Sequence, residues 1–579
     1  MNSNSFRRRR FFYVCLVSFA LAACGGGGGD DTGGNGNPPP GTSACTGTGS
    51  VTISGKVEYE FVPAVAAGLD FNNSEFRPVR KAAIEALCPD DSTTYASTVS
   101  DDSGAYSLTV PENVDVVIRA RAAMTATGAP GWNVSVVDNT RSQAAWALEG
   151  DAFDSGTGTV TLDLRAESGW TGAGYTETRA AAPFAILDSV YTAMQRVLTA
   201  EPAANFPALK LNWSPQNRTC TENNYPYPGG CIGTSFYFNP GSQGRNIFIL
   251  GDADGGANSD TDEFDNHVVI HEWGHYYEDA FARSDSIGGA HGGGDQLDPR
   301  VAFGEGWGNA WSAIATDDPI YVDTMGSNHS GGFSLNIEGS GSPSTGWWNE
   351  AAVQEIIYDL YDGTNDDGVN LGFGPLHEAL TDGQRDTEAM TTLFSFIKHV
   401  QDVVGDATAI TTLLQAHQIS PINDIWGDGR TALDNGAPSA GFVTPVHELL
   451  ADITDGATEN GICTTNTLSS TDEYNRLGVR RFLRFTPAVT DEWLVTLKTN
   501  PGSDPDFLIF TRGQEVTSQQ VGEPDFGQDD STSDGIETAV VSLTAGTQYV
   551  IEVLDYLNAD SDNSTGGANV CLDLTFELN

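Results

Sequence analysis

The chain has 579 residues, too many for one ordinary domain and enough for three or four. Lys and Arg number 28 against 78 Asp and Glu, a formal net charge of -50 that excludes nucleic acid as a partner, because a phosphate backbone would be repelled. The acidic surplus has two explanations, solubility in a salty or extracellular setting or a requirement for calcium.

In chain order, Arg7 to Arg10 precede the apolar run FFYVCLVSFALAA, which is too short to span a membrane as a mature helix, and LAAC ends at Cys24. This resembles a bacterial lipoprotein signal. The resemblance implies that residues 1–23 are removed and that Cys24 is lipidated, with the glycine-rich stretch 24–49 acting as a flexible tether. The membrane is then a partner through the lipid, and the location is the bacterial cell envelope, at the outer membrane or cell surface. A plain secretory signal with an incidental cysteine is the alternative. Six cysteines follow Cys24, an even number that in an exported chain points to disulfides. The simplest scheme joins neighbours, Cys45 with Cys88, Cys220 with Cys231 and Cys463 with Cys571. None lies near the histidines, so they read as staples and not as metal ligands.

Residues 50–165 have the pattern of a β-sandwich. In VTISGKVEYEF the residues Val51, Ile53, Gly55, Val57, Tyr59 and Phe61 alternate with mostly polar ones, the period of a half-buried strand. DDSGAYSLTVP reads as turn then strand, with Tyr106, Leu108 and Val110 on one face, and VDVVIRARA reads as another strand. The SGKV and DDSGAYSLTVP segments loosely resemble transthyretin-like or carboxypeptidase-regulatory-like modules. Residues 176–460 change character: RAAAPFAILDSVYTAMQRVLTAE has helical periodicity, ALKLNWS is a strand, TSFYF and NIFILGD form a hairpin, and WNEAAVQEIIYDLYD is a helix with Val353, Ile356, Ile357 and Leu360 on one stripe. Residues 465–579 return to short strands between turns, in RRFLRFTP, EWLVTLKT, PDFLIFTRG, TAVVSLTAGTQYVIEVLDY and VCLDLTFEL. This second sandwich resembles the pre-peptidase C-terminal domain of secreted bacterial proteases. It reads as an independent unit, whose removal after about residue 460 leaves zinc binding and short-peptide cleavage intact. The expected fold class is therefore multidomain: a β-sandwich, an α+β zincin-like metallopeptidase domain, and a C-terminal β-sandwich.

All nine histidines lie between 267 and 447. Two of them fall in VVIHEWGHYYED, which contains His-Glu-x-x-His. On a helix, positions i and i+4 sit one turn apart, so His271 and His275 can direct ring nitrogens at one tetrahedral ion. Glu272 is then placed to take a proton from metal-activated water. Two histidines merely packed on a helix would show the same spacing. The third ligand is open between Asp279, one turn past His275 but far along the axis, and Glu305 in VAFGEGWGNAWSAIA. Phe303, Trp307, Ala310, Trp311 and Ile314 give Glu305 an apolar setting in which a lone carboxylate is costly. A metal would compensate it, as would pairing with Arg300.

HEWGH followed by GEGWGNA resembles the gluzincin metallopeptidases, the thermolysin and fungalysin class. The resemblance is specific over about forty residues and only architectural over the rest of residues 176–460. It implies that His271, His275 and Glu305 hold Zn2+ and that Glu272 is the catalytic base acting on a protein or peptide substrate. The metzincin pattern is excluded, since Glu278 and Phe281 stand where that class has Gly and His. The gluzincins commonly carry Asp four residues after the glutamate ligand, bonded to a zinc histidine, and here Asn309 stands there. His291, His329, His377 and Tyr358 are candidates for the oxyanion donor, and NIFILGD for the edge strand that receives an extended substrate. The acids of DADGGANSDTDEFD, residues 252–265, favour the positive end of the next helix or hold Ca2+. The functional expectation is a lipid-anchored zinc endopeptidase outside the cytoplasm. The alternatives are an exopeptidase of the same chemistry, or a non-catalytic surface binding or adhesion protein on a decayed protease fold.

Overall fold

The computed structural model describes residues 45–579 apart from 221–229, 242–243, 254–255, 257–258, 340–342, 364–367, 406, 429–445, 451–452, 469–473, 518–534 and 560–568. The leader, Cys24 and the tether up to residue 44 lie outside the described residues. Among the described residues no helix is long and apolar enough to cross a membrane. The chain is multidomain, with several β-sheets set around a group of helices.

Alternation builds the first part, because successive residues of a strand face opposite sides. In Val51–Phe61 the side chains of Val51, Ile53, Val57, Tyr59 and Phe61 are buried, and pairing with Ala105–Val110 sets Ile53 opposite Leu108. Gly55 is required at this crossing, since a Cβ there would lie 1.7 Å from the Leu162 carbonyl oxygen. A second sheet carries Asp115–Arg121 between Ala83–Leu87 and Ala147–Glu149. The two sheets share a core that includes Ile53, Leu108, Val116 and Ile118, as a sandwich does. Disulfides join Cys45 to Cys88, Cys220 to Cys231 and Cys463 to Cys571.

The core is not divided at residues 165–176. Trp132–Asp138, inside the span assigned to the first sandwich, pairs in parallel with Leu209–Trp213, which pairs in parallel with Arg245–Ile249. The end of Trp132–Asp138 is buried at consecutive positions, so it needs cover on both faces, and a parallel strand backed by helices supplies it. One apolar core consequently runs from Val51 to Leu477. Phe236–Phe238 closes this sheet as its antiparallel edge. The strand within NIFILGD is therefore internal, correcting its assignment as the edge: Asn246 to Ile249 are all buried, as a strand flanked on both sides must be.

Four helices matter for the site: α1 (Ala182–Ala200), α2 (Asn266–Phe281), α3 (Pro299–Thr316) and α4 (Glu350–Tyr361). Asp298 caps α3 by accepting from the Arg300 N–H at 3.0 Å, and Pro299 opens the helix where its missing N–H costs nothing. Nearly every residue of α3 is buried, so the helix is apolar on all sides and sits centrally against α1, α2 and α4.

The strand signals of the C-terminal part all form strands, in two sheets around a core containing Leu483, Trp493, Ile509, Val541 and Phe576. This sandwich starts before residue 465, because Ala457–Thr464 pairs with Val570–Leu578 and sets Cys463 opposite Cys571. Buried charges tie it to α3. Arg300, 2% exposed, donates to Asp298 at 3.0 Å and to Glu552 at 2.8 Å, and Glu552 also pairs with Arg480 at 2.6 Å. Asn475 donates to the carbonyls of Gly288 and Ala290 at 2.9 and 3.1 Å, and Arg476 to that of Ala290 at 2.8 Å.

These links change the expectation for a shortened chain. Cutting after about residue 460 removes Glu552 and the Asn475 and Arg476 contacts, and should lower the melting temperature of the remaining chain, measured by circular dichroism. Arg300→Met in the full chain leaves Asp298 without its buried partner and should lower unfolding free energy by about 3 kcal/mol in denaturant titration.

Candidate metal centre

One turn of α2 separates His271 from His275, and the geometry of the helix places both rings on the face that meets α3. Their Nε2 atoms lie 3.2 Å apart. Glu305 Oε2, from α3, lies 3.3 Å from the first and 3.4 Å from the second. The three donor atoms fall within 4.8 Å of one another. Arg300 is engaged elsewhere, so Glu305 is not its partner. Asp279 is not part of the cluster either: its carboxylate accepts from the Tyr237 hydroxyl at 2.5 Å, Asn239 at 2.9 Å and Arg245 at 2.6 Å, tying α2 to the edge hairpin.

The two helices approach closely because glycines face each other. A Cβ on Gly274 would lie 3.1 Å from the Gly308 Cα, and one on Gly308 would lie 2.8 Å from His271 Cε1. Around them Trp273 stacks on Trp311 at 5.7 Å, and Trp311 meets Tyr277 at 4.9 Å. Each such fully buried aromatic contributes about 1.5–3 kcal/mol of apolar burial, which clamps the backbones in register.

The outer nitrogens of the rings are also held. His271 Nδ1 bonds to Asn309 Oδ1 at 2.8 Å, one turn of α3 beyond Glu305. His275 Nδ1 faces the Glu278 carboxylate at 3.6 Å. Burial pushes the Glu305 carboxyl up, but His275, His271 and His291 outweigh it and hold the group well below the ordinary range. Burial pulls His275 down, but Glu305 and Glu278 outweigh it and raise the ring well above the ordinary imidazole range. Two imidazoles and a carboxylate converging in this way suit a divalent cation, which replaces shared protons when the rings are neutral.

Glu272 accepts a hydrogen bond from the Tyr237 N–H at 2.8 Å, so its carboxylate adjoins the edge strand Phe236–Phe238. Burial pushes its pKa up against the pull of His271 and His275. Of the four oxyanion candidates, only His291 is at the cluster. Its Nε2 lies 3.2 Å from Glu305 Oε2 and its Nδ1 bonds to Glu350 at 2.6 Å. Burial lowers the His291 pKa, but the two carboxylates outweigh this and raise it to about 10. His377 bonds to the Tyr277 hydroxyl, His329 packs on Tyr175, and Tyr358 packs on Tyr361. Neither Glu350 nor Glu278 was given a place in the site from the sequence. The first opens α4 behind the Asn349 cap, and nothing in the sequence links it to a loop 59 residues earlier. The second could have been found from its position three residues after His275.

A second set of acids lies before α2. Asp260, Asp262 and Asp323 place one oxygen each within 4.8 Å of one another. Asp260 Oδ1 and Asp323 Oδ1 are buried with no hydrogen-bond partner among the described residues. Burial, then repulsion by Asp323, pushes the Asp260 carboxyl up to about 7, and burial pushes Asp323 up to about 6. These acids do not cap α2: Asp265 is turned to the Thr324 N–H and hydroxyl at 2.7 and 2.9 Å, and Glu263 pairs with Arg179.

No family model and no curated protein matches the chain. Among solved structures it is similar to the pre-peptidase C-terminal domain of a collagenase from Bacillus anthracis, at 12% identity over 23% of this chain and 96% of that one, with a TM-score of 0.15. It is also similar to PliG of Aeromonas hydrophila, a periplasmic inhibitor of g-type lysozyme, at 18% identity over 23% of this chain and 96% of that one, with a TM-score of 0.14. A 9R-lipoxygenase from Cyanothece is similar at 10% identity over 26% of this chain and 25% of that one, with a TM-score of 0.13.

Gly308→Ala tests the helix contact directly. The added methyl must displace the His271 ring or part the helices, so the substitution should cost about 1–3 kcal/mol of stability and weaken metal binding, seen by thermal melting and chelator competition.

Proposed function

We propose that the chain is a zinc-dependent peptidase of gluzincin type, hydrolysing peptide bonds in proteins outside the cytoplasm and anchored through lipid on Cys24. The observation that carries this is the convergence of His271 Nε2, His275 Nε2 and Glu305 Oε2 beside a fourth buried group, Glu272, that is left for chemistry. The donor set fits zinc: two imidazole nitrogens and one carboxylate oxygen, with the remaining ring nitrogens facing Asn309 and Glu278.

A zinc ion bound there supplies a Lewis acid that polarises the scissile carbonyl and acidifies water. The chain's own groups do the rest. An extended peptide pairs with Phe236–Phe238, the last strand of the sheet among the described residues, which brings its carbonyl beside Glu272. Glu272 accepts a proton from the attacking water as the C–O bond forms, then returns it to the departing amine as the C–N bond breaks. His291, oriented by Glu350, donates a hydrogen bond to the carbonyl oxygen as negative charge builds.

Purified wild type should hold about one zinc per chain and cleave casein. Internal fragments mark an endopeptidase, and stepwise loss of terminal residues an exopeptidase. Glu305→Ala should lose the metal, while Glu272→Gln should keep it and lose at least about a hundredfold in kcat/KM. A chain that binds zinc but cleaves no peptide under any condition would favour the binding or adhesion protein.

His291 is separable from the ligands. His291→Ala should retain zinc and lower kcat by about 10²- to 10³-fold with a smaller change in KM, measured by steady-state kinetics on a fluorogenic peptide.

We also assign the expected calcium to Asp260, Asp262 and Asp323, of which Asp260 Oδ1 and Asp323 Oδ1 are buried without a hydrogen-bond partner among the described residues. Calcium should raise the melting temperature of the zinc-loaded protein and EGTA should reverse it without removing zinc. Asp262→Asn should abolish the response.

A further inference from the structure

Asn309 leaves a question that the rest of the site answers. A histidine that binds a metal commonly donates its other ring N–H to a carboxylate, which fixes the tautomer and raises the basicity of the ligand. His271 has only a neutral amide oxygen at that place, 2.8 Å from Nδ1. The neighbouring histidine has a carboxylate instead.

Glu278 lies three residues after His275 on α2 and is 0% exposed. Its Oε2 is 3.6 Å from His275 Nδ1, within ion-pair distance. Neither of its oxygens accepts a hydrogen bond from any described residue, and among the described residues no Arg or Lys pairs with it. The backbone of α3 walls it in, since a Cβ on Gly304 would stand 3.7 Å from Oε2. A buried carboxylate with a single neighbour is costly unless that neighbour donates a proton or carries charge. With its Nε2 directed at His271 and Glu305, His275 has Nδ1 free to be the donor.

We infer that Glu278 is the positioning carboxylate of the metal centre, holding His275 through Nδ1 and supplying the negative charge that Asn309 withholds from His271. This rests on the zinc reading above. The carboxylate partner thus stands on the helix of the histidines and faces the second ring, where Asn309 of α3 faces the first. Its charge also offsets part of the excess positive charge that a divalent cation brings to a set with one anionic ligand.

The test compares full-length wild type, Glu278→Gln, Glu278→Asp, Asn309→Asp and the Glu278→Gln/Asn309→Asp double variant. Zinc affinity is measured by competition with a chromophoric chelator, and the metal-free melting temperature of each variant is recorded. Glu278→Gln is expected to weaken zinc binding about 10- to 100-fold without lowering the metal-free melting temperature. Adding Asn309→Asp should recover part of that loss, because a carboxylate is restored on the other ring. Zinc affinity in Glu278→Gln within twofold of wild type overturns the role of Glu278 and leaves the peptidase reading standing. Absence of zinc from wild type overturns both. Should Glu278→Gln not fold, Glu278→Asp decides the matter, since it keeps the charge but withdraws it by one methylene: undiminished affinity there overturns the role, and a loss supports it.

Discussion

Helices α2 and α3 touch because Gly274 and Gly308 face one another, and the candidate site depends on that contact. With side chains at those positions the axes would part, and Glu305 could not reach both His271 and His275. The surrounding Trp273, Trp307, Trp311 and Tyr277 make the contact rigid, since interlocked aromatic rings leave the helices little room to slide. The same clamp brings Asn309 to the outer nitrogen of His271. A single steric allowance therefore sets both the ligand geometry and its support.

Electrostatics explains why the site is assembled around histidines. Glu272, Glu278 and Glu305 are all buried near one another, and the basic groups that face Glu305 are imidazoles. Arg300, the guanidinium of α3, is spent on Asp298 and Glu552 at the start of the helix. Such a concentration of carboxylates in an apolar interior is tolerable with protonated histidines or with a bound cation, and the proposed zinc is the second solution. The acids before α2 pose the same problem without histidines, which is why calcium is the proposed occupant there.

The C-terminal sandwich is coupled to the candidate site through two places. Glu552 anchors the start of α3, the helix that bears Glu305, and Asn475 with Arg476 hold the carbonyls of Gly288 and Ala290 just before His291. Residues 474–476 bond to that loop through backbone as well: Asn475 C=O accepts from the Asp298 N–H at 2.9 Å. The sandwich thereby helps to fix the loop that carries His291. A module that looks appended in the sequence braces, in three dimensions, the start of α3 and the loop before His291.

The sequence by itself determined what local chemistry determines. Alternation in VTISGKVEYEF and in the C-terminal segments specified strands, helical spacing in HEWGH put two imidazoles on one face, and the apolar surroundings of Glu305 marked it as a carboxylate in need of a partner. Cysteine order also paired correctly, because the nearest neighbours in the chain close the three observed bridges. Tertiary structure decided the rest. That Trp132–Asp138 joins Leu209–Trp213 follows from hydrogen bonding between segments more than 70 residues apart, on which local periodicity carries no information. The same holds for the edge strand, where being last in a sheet is a property of neighbours and not of composition. His291 was one name among four until folding set it between Glu305 and Glu350, and Glu278 served only to exclude the metzincin pattern until folding buried it beside His275. Residue types announce which chemistry a chain can do; only the packing of distant segments decides which of them meet.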